Sequence, residues 1–134
     1  MIGMRARFKL LSSVVAMIVV SCRAMPALSP VRLRCESLVN PLGVGVPRPR
    51  LSWALESDER GKGQTAYQIV AGTSPEGLEE GRADLWASGK IHSDAPAGVA
   101  YAGAPLRSDQ QVHWRVRVWD ERGRPSPWSP PAVF

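Results

Sequence analysis

Apolar and polar residues alternate with a period of two along much of the chain, which is the pattern of half-buried β-strands. The clearest example spans residues 112–120, where the side chains divide between two faces. The inward positions are Val112, Trp114, Val116 and Val118, and the outward positions are His113, Arg115, Arg117 and Trp119. A second strand over 51–56 places Trp53 on its inward face together with Leu51 and Leu55. The two strands therefore predict a core that contains Trp53 and Trp114.

Polar segments rich in Gly and Pro separate the predicted strands at intervals typical of a β-sandwich. Further strands are predicted over 32–38, 64–73, 84–86, 99–102 and, as a Pro-rich edge strand, within 125–134. Around the first of these, Val31, Leu33 and Cys35 alternate onto one shared face. A single helical turn is predicted over 76–80. The expected fold is all-β, a seven-stranded sandwich preceded by a signal peptide.

The N-terminus carries the features of an export signal. Three basic residues, Arg5, Arg7 and Lys9, precede an apolar run of 11 residues over 10–20. That run is too short for a transmembrane helix, which needs about 20 residues, and fits a secretory signal. The next residues, Val19-Val20-Ser21-Cys22, resemble the lipoprotein box that precedes an acylated cysteine.

The export signal divides the chain into three predicted parts. We expect a signal peptide over 1–21, a linker over 22–30 and the sandwich over 31–134. The predicted location is outside the cytoplasm, either secreted or anchored to the membrane through a lipid on Cys22. An ordinary signal peptide cleaved after Ala24 or Ala27 stays open as the alternative.

Charge and length exclude several classes of function. The chain has 134 residues and a net charge of +5, but without the three basic residues of the signal, 14 basic residues stand against 12 acidic ones. A nucleic-acid partner is therefore not predicted, because such proteins carry a basic stripe on the folded domain. The length is also too small for a complete kinase, dehydrogenase or most glycosidases.

Several motifs resemble a fibronectin type III or immunoglobulin-like sandwich. Trp53 stands where that fold has its core tryptophan, and Tyr67 stands at the aromatic of the third strand. The segment 123–129 (GRPSPWS) resembles the characteristic ending of a Gly followed by Ser-x-Trp-Ser. Trp114 replaces the tyrosine usual near the sixth strand, so the hydroxyl bond of that corner is not expected there.

The resemblance narrows to the N-terminal domain of bacterial α-L-rhamnosidases, a glycoside hydrolase family. The similar segments, in order, are 33–43 (LRCESLVNPLG), 47–53 (PRPRLSW), 64–70 (QTAYQIV), 84–90 (DLWASGK) and 114–120 (WRVRVWD). In that family the activity is the hydrolysis of terminal α-L-rhamnose, and the catalytic carboxylates lie in a downstream helical barrel. The resemblance therefore implies a non-catalytic module, expected to be a truncated fragment of a longer enzyme.

The chain itself offers no arrangement that indicates catalysis or metal binding. Inverting glycosidases need two carboxylates that flank the scissile bond, whereas most acidic residues here fall in polar loops. Asp84 and Asp120 lie at strand ends and are expected to cap turns. His92 and His113 lack the closely spaced partners of a zinc site, and Cys35 fits a small buried residue. We predict no catalytic residue, no metal and no cofactor.

One outward-facing group could support binding. Trp119 shares its face with Arg117 and Arg115, which indicates packing within the molecule or against another domain, ordinary stacking within the surface, or a platform for a sugar ring. Packing against another domain would make the downstream rhamnosidase domains the partner, and a platform would make the partner a rhamnose-containing glycan. Contact with a membrane is expected only through the lipid anchor. A stand-alone module that binds a carbohydrate or a protein is the alternative function.

Overall fold

The computed structural model describes residues 28–41, 44–58, 63–79 and 82–134. In these ranges the structure contains β-strands and one short 3-10 helix, Pro75–Gly77. The strands are β1 (Ser29–Cys35), β2 (Arg50–Glu56), β3 (Ala66–Gly72), β4 (Trp86–Ala87), β5 (Ile91–His92), β6 (Val99–Ala100), β7 (His113–Trp119) and β8 (Ala132–Val133). The predicted signal peptide over 1–21 and the acylation site Cys22 lie outside the described residues.

The strands form two antiparallel sheets. One has the order β1-β2-β6, and the other has the order β4-β3-β7-β8, with β5 also pairing with β3. The longest pairing joins β3 to β7 without a break, from Ala66 opposite Trp119 to Gly72 opposite His113. β8 lies at an edge of its sheet, as the prolines of the segment 125–134 predict. The predicted all-β sandwich is confirmed.

The core lies between the two sheets and contains both predicted tryptophans. Trp53 is 5% exposed and Trp114 is 1% exposed. The ring of Trp53 packs edge-to-face on that of Tyr67, with 5.4 Å between centroids. Its Nε1 donates a hydrogen bond of 2.9 Å to Oε1 of Gln64, which is itself buried. The alternation of β2 and β7 therefore places both tryptophans on the correct, inward faces.

The predicted face of β1 is wrong at Val31. The register against β2 shifts by one residue between Val31 and Arg34, which is a β-bulge, and Arg32 takes a positive φ of 51°. Because one extra residue inverts the alternation, the buried side chains are Leu28 and Pro30 before the bulge and Leu33 and Cys35 after it. Val31 is left only half-buried.

The first strand also ends earlier than predicted, at Cys35 instead of Leu38. Cys35 and Leu38 exchange two backbone hydrogen bonds of 2.9 Å across Glu36 and Ser37. Both central residues have positive φ, which is the conformation of a tight type I′ hairpin turn. Glu-Ser is not the usual sequence of such a turn, which favours Asn-Gly, so the pattern alone does not reveal it.

Two small elements also differ from the sequence prediction. β5 was not predicted, because both of its residues are exposed and show no alternation. The predicted helical turn over 76–80 is a 3-10 helix over Pro75–Gly77. Among the described residues, none of the helical structure has the length and hydropathy needed to cross a bilayer.

A tyrosine stabilises the bend that follows β6. The hydroxyl of Tyr101 donates a hydrogen bond of 2.8 Å to the carbonyl of Ala104. A Cβ at Gly103 would lie 2.5 Å from that hydroxyl and from the carbonyl oxygen of Leu85, so the bend admits only glycine without rearrangement. The indole Nε1 of Trp114, in contrast, is buried and has no hydrogen-bond partner among the described residues.

Candidate functional site

The outward face of β7 forms a stack of alternating aromatic and cationic side chains, here called the Trp–Arg ladder. Arg117 lies between two indoles, with its Cζ 5.0 Å from the ring centroid of Trp119 and 4.8 Å from that of Trp128. Arg115 covers Trp128 at 4.8 Å, and the Nζ of Lys90 covers Trp119 at 4.9 Å. The ladder therefore joins β7 to the segments on both sides of it.

The ladder leaves little of Trp119 accessible. This indole is only 8% exposed, since Lys90 and Arg117 lie over its ring. The indole of Trp119 is therefore stacked against side chains of its own domain. Packing against another domain and a platform for a sugar ring stay predictions.

Hydrogen bonds hold both arginines of the ladder in place. Arg117 donates through Nε to Oε1 of Gln68 at 2.8 Å. Arg115 donates through Nη2 to the carbonyl of Leu78. Burial lowers the pKa of the Arg115 guanidinium below its usual value. These contacts make both arginines part of the folded surface of the domain.

Two serines attach the segment that carries Trp128 to β7. The amides of Ser126 and Ser129 donate to the carbonyls of Val118 and Val116, at 2.7 and 2.9 Å. In return, the amides of Val118 and Val116 donate to the hydroxyls of the same serines at 3.0 Å. The Ser-x-Trp-Ser motif is visible in the sequence by resemblance. The sequence does not show that the serine hydroxyls take the place of backbone carbonyls as acceptors in the pairing with β7.

Among the described residues, Asp120 has a buried carboxylate, and its role is structural. Asp120 is 1% exposed, and its oxygens accept hydrogen bonds of 2.9 Å from the amides of Arg122 and Arg124 and from Nε of Arg124. The bond from the Arg124 amide is the main cause that lowers the pKa of Asp120. A general acid needs a raised pKa, so Asp120 is a turn cap, as predicted.

The other candidate groups do not form a reactive centre either. Asp84 accepts from the amide and hydroxyl of Thr73, at 2.9 and 2.7 Å, and these bonds lower its pKa. Cys35 is 1% exposed, and burial raises the pKa of its thiol to about 12, which suppresses the nucleophilic thiolate. His92 and His113 lie on separate strands. The part of the chain that the structure describes contains no cluster of three or more metal-ligating side chains.

A groove lies at the loop end of the sandwich, a feature the sequence did not reveal. This groove has a volume of about 630 Å³ and lies between the β1–β2 connection and the segment 106–111. Its apolar lining comes from Val44, Val46, Leu106 and Phe134. A second groove of about 540 Å³ shares residues 107–110 of its lining with the first.

Comparison with known proteins identifies the domain. Residues 30–134 match the family described as "Rha78A-like, N-terminal immunoglobulin domain". The chain is 43% identical over 97 residues to an α-L-rhamnosidase of Streptomyces avermitilis, covering 72% of this chain and 9% of that enzyme. It is 44% identical over 95 residues to an α-L-rhamnosidase of Alteromonas sp. (strain LOR), covering 70% of this chain and 10% of that enzyme.

Solved structures agree with this assignment. The Streptomyces avermitilis α-L-rhamnosidase complexed with L-rhamnose aligns with a TM-score of 0.76 at 41% identity, covering 80% of this chain and 10% of that one. The α-L-rhamnosidase from Dictyoglumus thermophilum aligns with a TM-score of 0.75 at 37% identity, covering 79% and 12%. The chain thus spans about a tenth of the length of the relatives that it matches. It belongs to the family of Rha78A-like N-terminal immunoglobulin domains found in α-L-rhamnosidases.

Proposed function

We propose that this chain is a non-catalytic module that works as part of an exported α-L-rhamnosidase. The hydrolysis of terminal α-L-rhamnose would then be carried out by residues outside the sandwich. The sandwich would supply a rigid body on which the downstream domains are placed. The family and the small share of the relatives that it covers support this function.

One observation carries the non-catalytic assignment. Glycoside hydrolysis requires an acid and a base or nucleophile, with one carboxylic acid held protonated near neutral pH. Hydrogen bonds from Thr73 lower the pKa of Asp84, and hydrogen bonds from Arg124 and Arg122 lower the pKa of Asp120. These two groups are therefore held as anions and cannot serve as the proton donor to a leaving group.

A rhamnoside-release assay tests the proposal. The 134-residue chain, with Cys22 replaced by Ala to prevent acylation, is incubated with a chromogenic α-L-rhamnoside beside the Streptomyces avermitilis enzyme as positive control. We expect release at the rate of buffer alone. Turnover that co-purifies with the chain and persists through further purification would contradict the non-catalytic assignment.

Calorimetric titration with L-rhamnose tests the alternative binding function. The coverage of Trp119 by Lys90 and Arg117 leads us to expect no saturable heat. Saturable binding that is lost in Trp119→Ala but retained in Trp86→Ala would instead support a sugar-binding module.

Export through a lipoprotein signal is part of the same proposal. It rests on the basic residues before position 10, the apolar run over 10–20 and the sequence Val19-Val20-Ser21-Cys22. Metabolic labelling with a fatty-acid analogue should label the wild-type chain and not Cys22→Ala. Equal labelling of both would exclude acylation at Cys22 and favour an ordinary cleaved signal.

A further inference from the structure

Exposed large apolar side chains of the described residues concentrate in the β1–β2 connection. Leu38 is 58% exposed, Val39 is 65% exposed and Val46 is 43% exposed, whereas Ile91 in β5 is 39% exposed. Single exposed apolar residues are ordinary on a protein surface, but a concentration of them indicates an interaction surface. Three such residues within one connection therefore indicate that this surface contacts a partner.

The backbone of this connection is held in costly conformations. Glu36, Ser37 and Asn40 have φ values of 49°, 65° and 44°, a region that non-glycine residues seldom occupy. Oδ1 of Asn40 accepts a hydrogen bond of 3.1 Å from the amide of Val133, which attaches the connection to β8. The described part of this connection thus presents Leu38, Val39 and Val46 at the surface instead of burying them.

The same connection forms one wall of the groove of about 630 Å³. Val44 and Val46 belong to this wall of the groove. Leu106 and Phe134 also line the groove but come from other parts of the fold. Phe134 is fixed there by two backbone hydrogen bonds to Val112, at 2.7 and 2.9 Å. In relatives, where about nine tenths of the chain lies outside the matched N-terminal domain, the polypeptide that follows must leave the sandwich at this end.

We infer that Leu38, Val39, Val46 and the adjoining groove form the surface on which the following part of the rhamnosidase packs. The inference rests on the proposed function and assigns it a specific surface. The groove is lined by apolar side chains and by a polar segment that has one cation, Arg107, one anion, Asp109, and the uncharged residues Ser108, Gln110 and Gln111. This mixed lining without net charge fits an interface between domains, which is more polar than an obligate interface.

The test places the sandwich in a full-length enzyme. Residues 28–134 replace the matched segment of the Streptomyces avermitilis α-L-rhamnosidase, and hydrogen exchange is compared with that of the 134-residue Cys22→Ala chain. We expect peptides from 36–41 and 105–111 to exchange at least about tenfold more slowly in the chimera, since docking adds to their opening free energy. Peptides around Ile91 should exchange at the same rate in both.

Charge substitutions show whether the apolar side chains cause the protection. Leu38→Lys and Val46→Lys in the chimera should return both peptides to the exchange rates of the isolated chain. Ile91→Lys is the matched control and should leave the protection unchanged. All three positions are exposed, so the variants should keep the melting temperature of the isolated chain.

Two results would overturn the inference. One is equal exchange of these peptides in the chimera and the isolated chain. The other is a concentration-dependent dimer of the isolated chain in sedimentation that Val46→Lys abolishes, because the occupant would then be a second copy. Neither result depends on rhamnoside release by the isolated chain, so failure here is distinct from failure of the proposed function.

Discussion

The hydroxyl of Ser126 accepts a hydrogen bond of 3.0 Å from the amide of Val118, whose carbonyl accepts one of 2.7 Å from the amide of Ser126. One residue thereby occupies both hydrogen-bonding positions that a neighbouring β-strand would use. Ser129 repeats the arrangement on Val116. This pairing keeps a proline-rich segment beside β7 and positions Trp128 over the two arginines of the Trp–Arg ladder.

Removing either hydroxyl should destabilise the domain. Ser126→Ala and Ser129→Ala each leave a buried amide of β7 without its acceptor, at an expected cost of about 1–3 kcal/mol. Ser108→Ala is the control, since Ser108 is exposed, and should change stability by less than about 0.5 kcal/mol. Urea unfolding measures these differences in stability. Wild-type urea midpoints in both Ser126→Ala and Ser129→Ala would refute the role of the hydroxyls.

The Trp–Arg ladder should contribute measurably to stability through Arg117. Arg117→Ala removes two ring contacts and the hydrogen bond to Gln68, with an expected cost of about 1–3 kcal/mol. Arg117→Lys keeps the charge but loses the planar stacking group and should fall between Arg117→Ala and wild type. Arg107→Ala, at an exposed arginine, serves as the control. If Arg117→Ala unfolded at the same urea concentration as this control, the ladder would contribute nothing.

The two core tryptophans should respond differently to replacement by phenylalanine. Trp53→Phe leaves the buried Oε1 of Gln64 without its donor, whereas the Nε1 of Trp114 has no hydrogen-bond partner among the described residues. We therefore expect Trp53→Phe to be more destabilising than Trp114→Phe by about 1 kcal/mol or more. Thermal and urea unfolding of both variants provide the comparison. A larger loss in Trp114→Phe would show that ring volume outweighs the hydrogen bond.

Asp120 should make the stability of the domain depend on pH in the acidic range. Its pKa is lowered in the folded state, mainly by the bond from the Arg124 amide, so folding favours the ionised form. This stabilisation is complete above the unfolded-state pKa of about 3.9 and disappears as pH falls through the lower folded-state pKa.

The matching variant is Asp120→Asn. Its deficit in the free energy of unfolding should be largest above about pH 5 and should shrink as pH falls below about 4. Asp58→Asn, at an exposed loop residue, should show a small difference throughout. A deficit for Asp120→Asn that stays constant between these pH values would mean that the charge of Asp120 does not stabilise the fold.

The thiol of Cys35 should be unreactive in the folded domain. With a pKa of about 12, only about one thiol in ten thousand is ionised at pH 8, and the side chain is 1% exposed. In a Cys22→Ala chain, Cys35 is the remaining cysteine. A thiol reagent should therefore modify no thiol in buffer. In about 8 M urea, which unfolds the domain, it should modify one thiol per chain. Rapid modification in buffer would show that β1 opens readily.

Much of the sandwich follows from the sequence alone. The inward positions of β2, β3 and β7, such as Trp53, Ile69 and Val116, are set by a period of two, which is a local property of an extended chain. The turn-capping role of Asp120 is equally local, because it accepts hydrogen bonds from the amides of Arg122 and Arg124 directly after β7. The family resemblance rests on the same strand motifs, and it is confirmed by the match over 30–134.

Only the tertiary structure decided the features in which separate segments meet. The bulge at Arg32 depends on how β1 pairs with β2, and it reverses the face of Val31. The coverage of Trp119 depends on Lys90 and Arg117. Lys90 directly precedes β5, which pairs with β3, and β3 in turn pairs with β7. The groove likewise requires loops distant in sequence to lie side by side. Such arrangements arise from packing between segments, and a periodic pattern within one segment carries no information about them.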